Sequence, residues 1–333
     1  MASFFRRHLL AIVCTFLVSA MYGMPNVLFI LSLGGSYQGI PMLQTPNEDA
    51  YLARIQEIID GHPALGSPYF FEYKGELPIT PPTGEFLYAL PSLIFGLSAS
   101  AVLILSKFLL PALLFFLVYL LVLRLTEKGG VTQRMNAIAG GFFVVIGYDL
   151  VDYRTVFSYL SGTDSPGSFL LWARPVNPIL GAIFLFSFLL LVWALIQKTT
   201  YRKSLILGAG VFLALMMGSY FFRCGIAVSV LAMLVLFLLF RKEYALSGTL
   251  ALIVPVGAML ASPYWYSMWQ ASKSPWYADS VLRSGLFYTH YPLLNKLLLA
   301  ALVFYILTIG LDYFWKRKRG ITFQAEECHF FCL

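Results

Sequence analysis

Two adjacent carboxylates, Glu48 and Asp49, lie in the run Thr45-Pro46-Asn47-Glu48-Asp49-Ala50-Tyr51-Leu52-Ala53-Arg54-Ile55. A carboxylate held in one place can take a proton from a hydroxyl or amine, or hold a cation. The flanking residues read as a helix start: Thr45 can cap, Pro46 suits the first helical position, and Glu48 completes a capping box. Asp49 then sits in the first turn, where it either does chemistry or complements the helix dipole, an effect of about 0.3 to 1 kcal/mol. Glu48 has two readings, capping-box residue or second catalytic carboxylate. A second concentration of charge, Tyr148-Asp149-Leu150-Val151-Asp152-Tyr153-Arg154, follows about a hundred residues later. Asp149 and Asp152 lie three apart and share a face if helical, and Arg154 either neutralises one of them or meets a ligand.

The elements that must position these groups are membrane helices. Of 333 residues, 59% are apolar and only 12% charged, against about 25% charged in soluble domains. Eight apolar stretches approach the roughly 20 residues needed to span a bilayer: 9–33, 100–123, 135–150, 178–197, 204–222, 225–240, 245–265 and 293–314. A ninth, 86–97, is too short and reads as a re-entrant or interfacial helix, led by Pro81-Pro82 and closed by Gly96. The expected fold is an all-α polytopic bundle of about eight transmembrane helices. Its first extracytoplasmic loop, 34–99, carries short interfacial helices, and Leu52, Ile55 and Ile59 give the first of these an apolar stripe.

Charge supports that placement, because loops rich in Lys and Arg stay cytoplasmic. With Arg6 and Arg7 inside and 86–97 not crossing, 14 of the 23 basic residues fall inside. Lys107 and Lys296 lie near outer span ends and are expected to snorkel. Both termini are then cytoplasmic, in a cell inner or plasma membrane. The net charge of +7 is mostly cytoplasmic anchoring and gives no argument for nucleic acid binding. Residues 1–320 form the membrane module, and 321–333 a short tail whose Cys328, His329 and Cys332 read as reduced and unmetallated rather than as a zinc site. The histidines His62 and His290 read as surface residues. No Walker loop, dinucleotide fingerprint or histidine-glutamate zinc motif is present.

The order of motifs resembles the GT-C superfamily of integral-membrane glycosyltransferases. One span is followed by a long outer loop that opens with Glu48-Asp49-Ala50-Tyr51. Pro81-Pro82 then leads into a short apolar helix closed by Phe95-Gly96, and a third span delivers the Asp149/Asp152 cluster. It is most similar to the protein O-mannosyltransferase and lipid A aminoarabinose transferase branch, and Asp49-Ala50-Tyr51 is also similar to the start of oligosaccharyltransferase catalytic subunits. The resemblance implies transfer of a sugar from a polyprenyl phosphate or diphosphate carrier to a lipid, glycan or protein acceptor on the extracytoplasmic face. Asp49 becomes the acceptor-side carboxylate, with Glu48 and Asp152 as further catalytic candidates and Asp149 and Tyr51 near the substrate.

Where the aminoarabinose branch often carries a basic residue before the tandem prolines, this chain has Thr80. The carrier phosphate is therefore expected to be held by Lys74 or Arg154, with Arg174, Arg223 and Arg283 as further candidates. Each of these is otherwise a headgroup-facing anchor. If Asp49 and Asp152 converge they could hold a divalent cation, although many members of the superfamily need no metal. The competing expectations are a flippase or transporter for a lipid-linked sugar, which would concentrate charge and helix breaks near the bilayer midplane, and an inactive membrane subunit.

Overall fold

The computed structural model describes residues 2–43, 45, 47–63, 72, 75, 82–126, 130–151, 161, 170–197, 201–275, 277–284, 303, 306, 307, 310, 311 and 314. They fall into two compact units, Met1–Ser274 and Pro275–Leu333. The described residues are helical, with no strand among them. In the first unit the helices are α1 (Ala2–Leu33), α2 (Glu48–Ile59), α3 (Thr83–Phe95), α4 (Ala99–Leu125), α5 (Val131–Val151), α6 (Ile179–Gln197), α7 (Arg202–Ser219), α8 (Phe221–Phe240), α9 (Tyr244–Ala251), α10 (Ile253–Leu260) and α11 (Ser262–Ala271). The second unit contains α12 (Tyr277–Ser284).

Among the described residues five helices are long and apolar enough to cross a membrane: Arg7–Ser36, Ala99–Leu125, Ile179–Gln197, Arg202–Ser219 and Phe221–Phe240. A sixth arises if Tyr244–Leu260 and Ser262–Ala271, which meet at 51°, form one broken span. The chain is a multi-pass membrane protein. The expected third span exists as the helix α5, but Gln133, Arg134, Asn136 and three glycines dilute its apolar content, and it is not among the five. The expected eighth, 293–314, lies largely outside the described residues.

The long helix α4 is the hub, packing on α1, α5 and α6, while α6 packs on α7 and α7 on α10. Lipid tails are as apolar as leucine, so such helices are held by close packing and hydrogen bonds rather than by escape from solvent. The packing is tight: a Cβ on Gly141 would stand 2.7 Å from the Phe115 ring. Tyr22, fully buried on α1, donates to the Val145 carbonyl of α5 at 2.8 Å. At the other end of these helices His8 and Tyr119 share a 2.7 Å hydrogen bond, and Arg134 donates to the Arg7 carbonyl at 3.0 Å. Apolar side chains such as Phe16, Phe143 and Met233 stay outside, about 70% exposed, which suits a lipid solvent and would be an aggregation hazard in water.

The two short helices α2 and α3 pack on each other and on α4, and α3 also meets α7. Helix α3 begins one residue after Pro82, whose carbonyl accepts from the Phe86 N–H at 2.8 Å. It ends where Gly96 turns left-handed at φ +70° and donates to the Ser92 carbonyl, the glycine stop expected from sequence. Helix α2 starts later than expected. Asn47, not Thr45, precedes its first turn, at φ +65° and with no side-chain cap. Arg223 is also not in a turn between spans: α7 and α8 are separated by Tyr220 alone, and Arg223 lies within the first turn of α8.

Candidate functional site

Glu48 and Lys107 are each 1% exposed and meet at 2.9 Å. Lys107 stands eight residues into α4, about 12 Å along its axis at 1.5 Å per residue. Its ammonium does not snorkel, contrary to the sequence expectation. It donates instead to Glu48 Oε2 and, at 3.1 Å, to the Met42 carbonyl. The other carboxylate oxygen, Oε1, accepts from the Thr45 N–H at 2.8 Å and from the Thr45 hydroxyl at 2.5 Å. Half of the expected capping box therefore forms, and its carboxylate also neutralises a lysine. Ionisable groups inside a membrane bundle are costly unless paired, and this pair pins the start of α2 to the third turn of α4.

Beside this pair, α2 and α3 exchange a second one: Arg54 Nε lies 3.1 Å from Glu85 Oε1, and the Glu85 side chain is 6% exposed. The segment 170–178 lies against both helices. Trp172 moors it by donating to the Val144 carbonyl at 3.0 Å. Arg174 lies 5.9 Å over the Tyr51 ring, and the Tyr51 hydroxyl is within hydrogen-bonding reach of both Arg174 and Asn177. Between these two side chains the Asn177 N–H donates to the Pro175 carbonyl at 2.7 Å. Val176 is thus the tip of a γ-turn at φ +61°, the rare and strained kind. For a β-branched residue that region costs on the order of 1 to 3 kcal/mol.

Val176 is 1% exposed and is held on several sides. Its methyl occupies the space beside Gly84, where a Cβ would stand 2.4 Å away. The Tyr88 hydroxyl meets its backbone, and its carbonyl accepts from the Leu180 N–H at 3.1 Å. Two buried polar atoms flanking the turn, Arg174 Nε and Asn177 Oδ1, have no hydrogen-bond partner among the described residues.

Between α3 and α4 lies an apolar groove of about 360 Å³, lined by Leu87, Pro91, Val102, Leu105, Leu109 and Leu180 among others, with Tyr88 and Ser106 as its polar members. Leu105 and Leu109 are 45% and 63% exposed, so the groove opens sideways on the surface that faces lipid. Its Tyr88 wall joins it to the strained turn. Next to Leu180, Gly181 lies against Arg223, whose Cγ would be 2.9 Å from a Cβ placed there. Arg223 Nε is a further buried donor without a partner among the described residues.

The candidate residues thus fall into three groups. Glu48, Tyr51 and Arg174 come together at one end of the bundle, and Arg223 lies beside the same helix start. Asp49 is exposed on the first turn of α2. Asp149 is on the last turn of α5 and Arg283 on α12, with their side chains outside the described residues, as are Asp152, Arg154 and Lys74 altogether. Among the described residues no group of three metal-ligating side chains occurs. His62 is exposed, 3.5 Å from Glu57; His290 and the tail cysteines lie outside the described residues.

Sequence reasoning passed over Lys107 as a partner, Glu85, Tyr88 and Asn177. The lysine inside an apolar run was the one signal that could have found the pair. Comparisons of the chain with protein-family models, with curated proteins and with solved structures each find no match.

The site makes two predictions. Glu48→Gln leaves the buried Lys107 charge without its carboxylate, which costs about 3 to 5 kcal/mol. The midpoint of thermal unfolding in detergent falls accordingly, and Glu48→Gln combined with Lys107→Met recovers most of the loss. Equal midpoints for the single and double variants would contradict the pairing. Burial pushes the Tyr51 and Tyr88 phenols above their ordinary value, Tyr51 against the pull of Arg174. Above about pH 10 the unfolded chain loses these protons while the native state keeps them, so stability falls as the pH rises further. Below that both states are protonated and the contribution is constant. Tyr88→Phe should flatten the alkaline limb of the stability profile.

Proposed function

We propose that this chain is a GT-C-like glycosyltransferase that moves a sugar from a polyprenyl phosphate carrier to an acceptor on the extracytoplasmic face. In this reading the bundle has eight spans, its termini are cytoplasmic, and it belongs to a cell inner or plasma membrane. The observation that carries the proposal is the side-opening apolar groove between α3 and α4 that runs up to Tyr88, with Arg174 and Arg223 at the adjoining start of α6. An isoprenoid tail needs apolar walls open to lipid, and its phosphate needs cations at the end of them. The groove and arginines supply both.

The chemistry requires a base or orienting carboxylate for the acceptor and charge stabilisation for the departing phosphate. Asp49 serves as the acceptor-side carboxylate. Its neighbour Glu48, tied to Lys107 and Thr45, fixes where the α2 backbone presents it. Glu48, with its charge satisfied, is a positioning residue rather than the base. Arg174 and Arg223 hold the phosphate, with Arg154 or Lys74 as the further cations of this reading, and Tyr51 orients Arg174. Asp152 and Asp149 are the second acidic group of this reading, with a divalent cation shared by Asp49 and Asp152 as an optional partner. The bond from the sugar's anomeric carbon to the phosphate oxygen breaks as the acceptor oxygen bonds to that carbon; the phosphate departs on its carrier, the acceptor proton passes to Asp49, and no electrons change hands.

Reconstitution into liposomes with a radiolabelled polyprenyl-phosphate sugar tests the proposal. The label should pass from the lipid to an acceptor, and Asp49→Asn should slow that transfer by about 10² to 10⁴ while binding of the lipid stays within reach of the parent. Movement of intact lipid across the bilayer without transfer would assign a flippase instead. Neither transfer nor movement would leave a membrane subunit without activity.

A further inference from the structure

We propose that the strained turn from Arg174 to Asn177 is a headgroup clamp, in which Arg174 takes an anionic oxygen and Asn177 accepts a hydrogen bond from a hydroxyl or amino group of the same ligand. The proposal rests on the glycosyltransferase reading only for where that ligand comes from, a carrier-linked sugar. The clamp itself rests on three features of the turn.

The first is the γ-turn at Val176, closed by the 2.7 Å bond from the Asn177 N–H to the Pro175 carbonyl at a φ of +61°. A buried valine keeps that backbone only because its surroundings dictate it. Trp172 bonded to Val144, the close approach of Gly84 and the Leu180 N–H on the Val176 carbonyl do so here. The second feature is what the strain achieves. It turns the side chains on either side of Val176, Arg174 and Asn177, toward one point, the Tyr51 hydroxyl. The third is that each keeps a buried polar atom with no partner among the described residues, Arg174 Nε as a donor and Asn177 Oδ1 as an acceptor. The large majority of buried side-chain polar atoms are satisfied, so an unpaired donor and an unpaired acceptor side by side on a rigid turn describe a ligand's two complementary groups.

The chemistry of those groups follows from the two atoms. A guanidinium nitrogen prefers the oxygen of a phosphate or carboxylate. An amide oxygen whose own NH₂ is directed at Tyr51 requires a donor, which a fully ionised alkyl phosphate lacks and a sugar hydroxyl supplies. Asn177 therefore distinguishes a carrier bearing its sugar from the bare carrier phosphate left after transfer. A site built around such a hydrogen bond rejects ligands without the donor more strongly than an apolar pocket rejects a missing methylene.

The test uses the full-length protein in detergent, with binding followed by intrinsic tryptophan fluorescence. The probes are farnesyl phosphate, farnesyl phosphate carrying mannose, the same compound with its mannose hydroxyls O-methylated, and mannose 1-phosphate. The parent protein should bind the mannosyl probe about tenfold or more tighter than its O-methylated counterpart. Asn177→Ala should remove that preference while farnesyl phosphate still binds through Arg174, which also reports that the variant is folded. Arg174→Gln should weaken every phosphate probe.

Equal binding of the mannosyl and O-methylated probes by the parent protein would assign the two atoms to water and overturn the clamp without any variant. An Asn177→Ala protein that keeps the preference overturns it equally. If mannose 1-phosphate binds with Asn177 dependence and neither farnesyl probe binds, the clamp stands and the lipid-carrier reading falls. Displacement of the mannosyl probe by phosphatidylglycerol nanodiscs, with the same Asn177 dependence, upholds the clamp and identifies a bulk lipid headgroup as its source.

Discussion

The pairing of Glu48 with Lys107 is the constraint on which the end of the bundle that carries α2 and α3 depends. A lysine two to three turns inside a membrane-length helix cannot stay charged without a partner, and its partner comes from a segment 59 residues away. Satisfying it forces the loop before α2 down against α4. That fixes the start of α2, and with it the positions of Asp49, Tyr51 and Arg54. Such a pair adds little net stability compared with apolar residues of the same volume. Its contribution is register: α2 has one way to sit on α4.

From that fixed helix the other contacts follow in sequence. Arg54 reaches Glu85 and holds α3 against α2. Helix α3 brings Tyr88 and Gly84 under Val176, and Val176 sets the directions of Arg174 and Asn177. The groove between α3 and α4 is the apolar side of the same arrangement. A polar recess adjoining a lipid-facing slot is a structure suited to ligands with one wet and one greasy end, and helices alone do not produce it. It takes a short helix laid against a long one, and the two ion pairs are what hold it there.

Much of this architecture was legible in the sequence. The tandem prolines and Gly96 marked both ends of α3, because a proline start and a left-handed glycine stop are local signals. Five of the eight long apolar runs coincide with helices of membrane length among the described residues. The content of the site was less legible. Lys107 in an apolar run read as a snorkelling side chain, because the choice between snorkelling and pairing depends on which loop returns to cover it. Glu48 read as a cap, and it does bond Thr45, but a second role in tertiary structure has no sequence signature. Val176 and Asn177, between two prolines, carried no signal in the sequence: a positive φ at a valine runs against local preference, so only the packed structure reveals it. Asp49, the expected centre of the chemistry, is exposed, whereas its neighbour Glu48 and the nearby Tyr88 and Val176 are buried.

The account's central claim is that the groove between α3 and α4 carries the tail of a phosphorylated isoprenoid into this site. Photo-crosslinking of the purified protein with a prenyl phosphate bearing a diazirine along its chain, followed by mass spectrometry of the peptides, tests it directly. The account predicts adducts on Leu87, Leu105 and Leu109 that unlabelled prenyl phosphate competes away. Adducts spread evenly over the lipid-facing helices, unaffected by competitor, would contradict it.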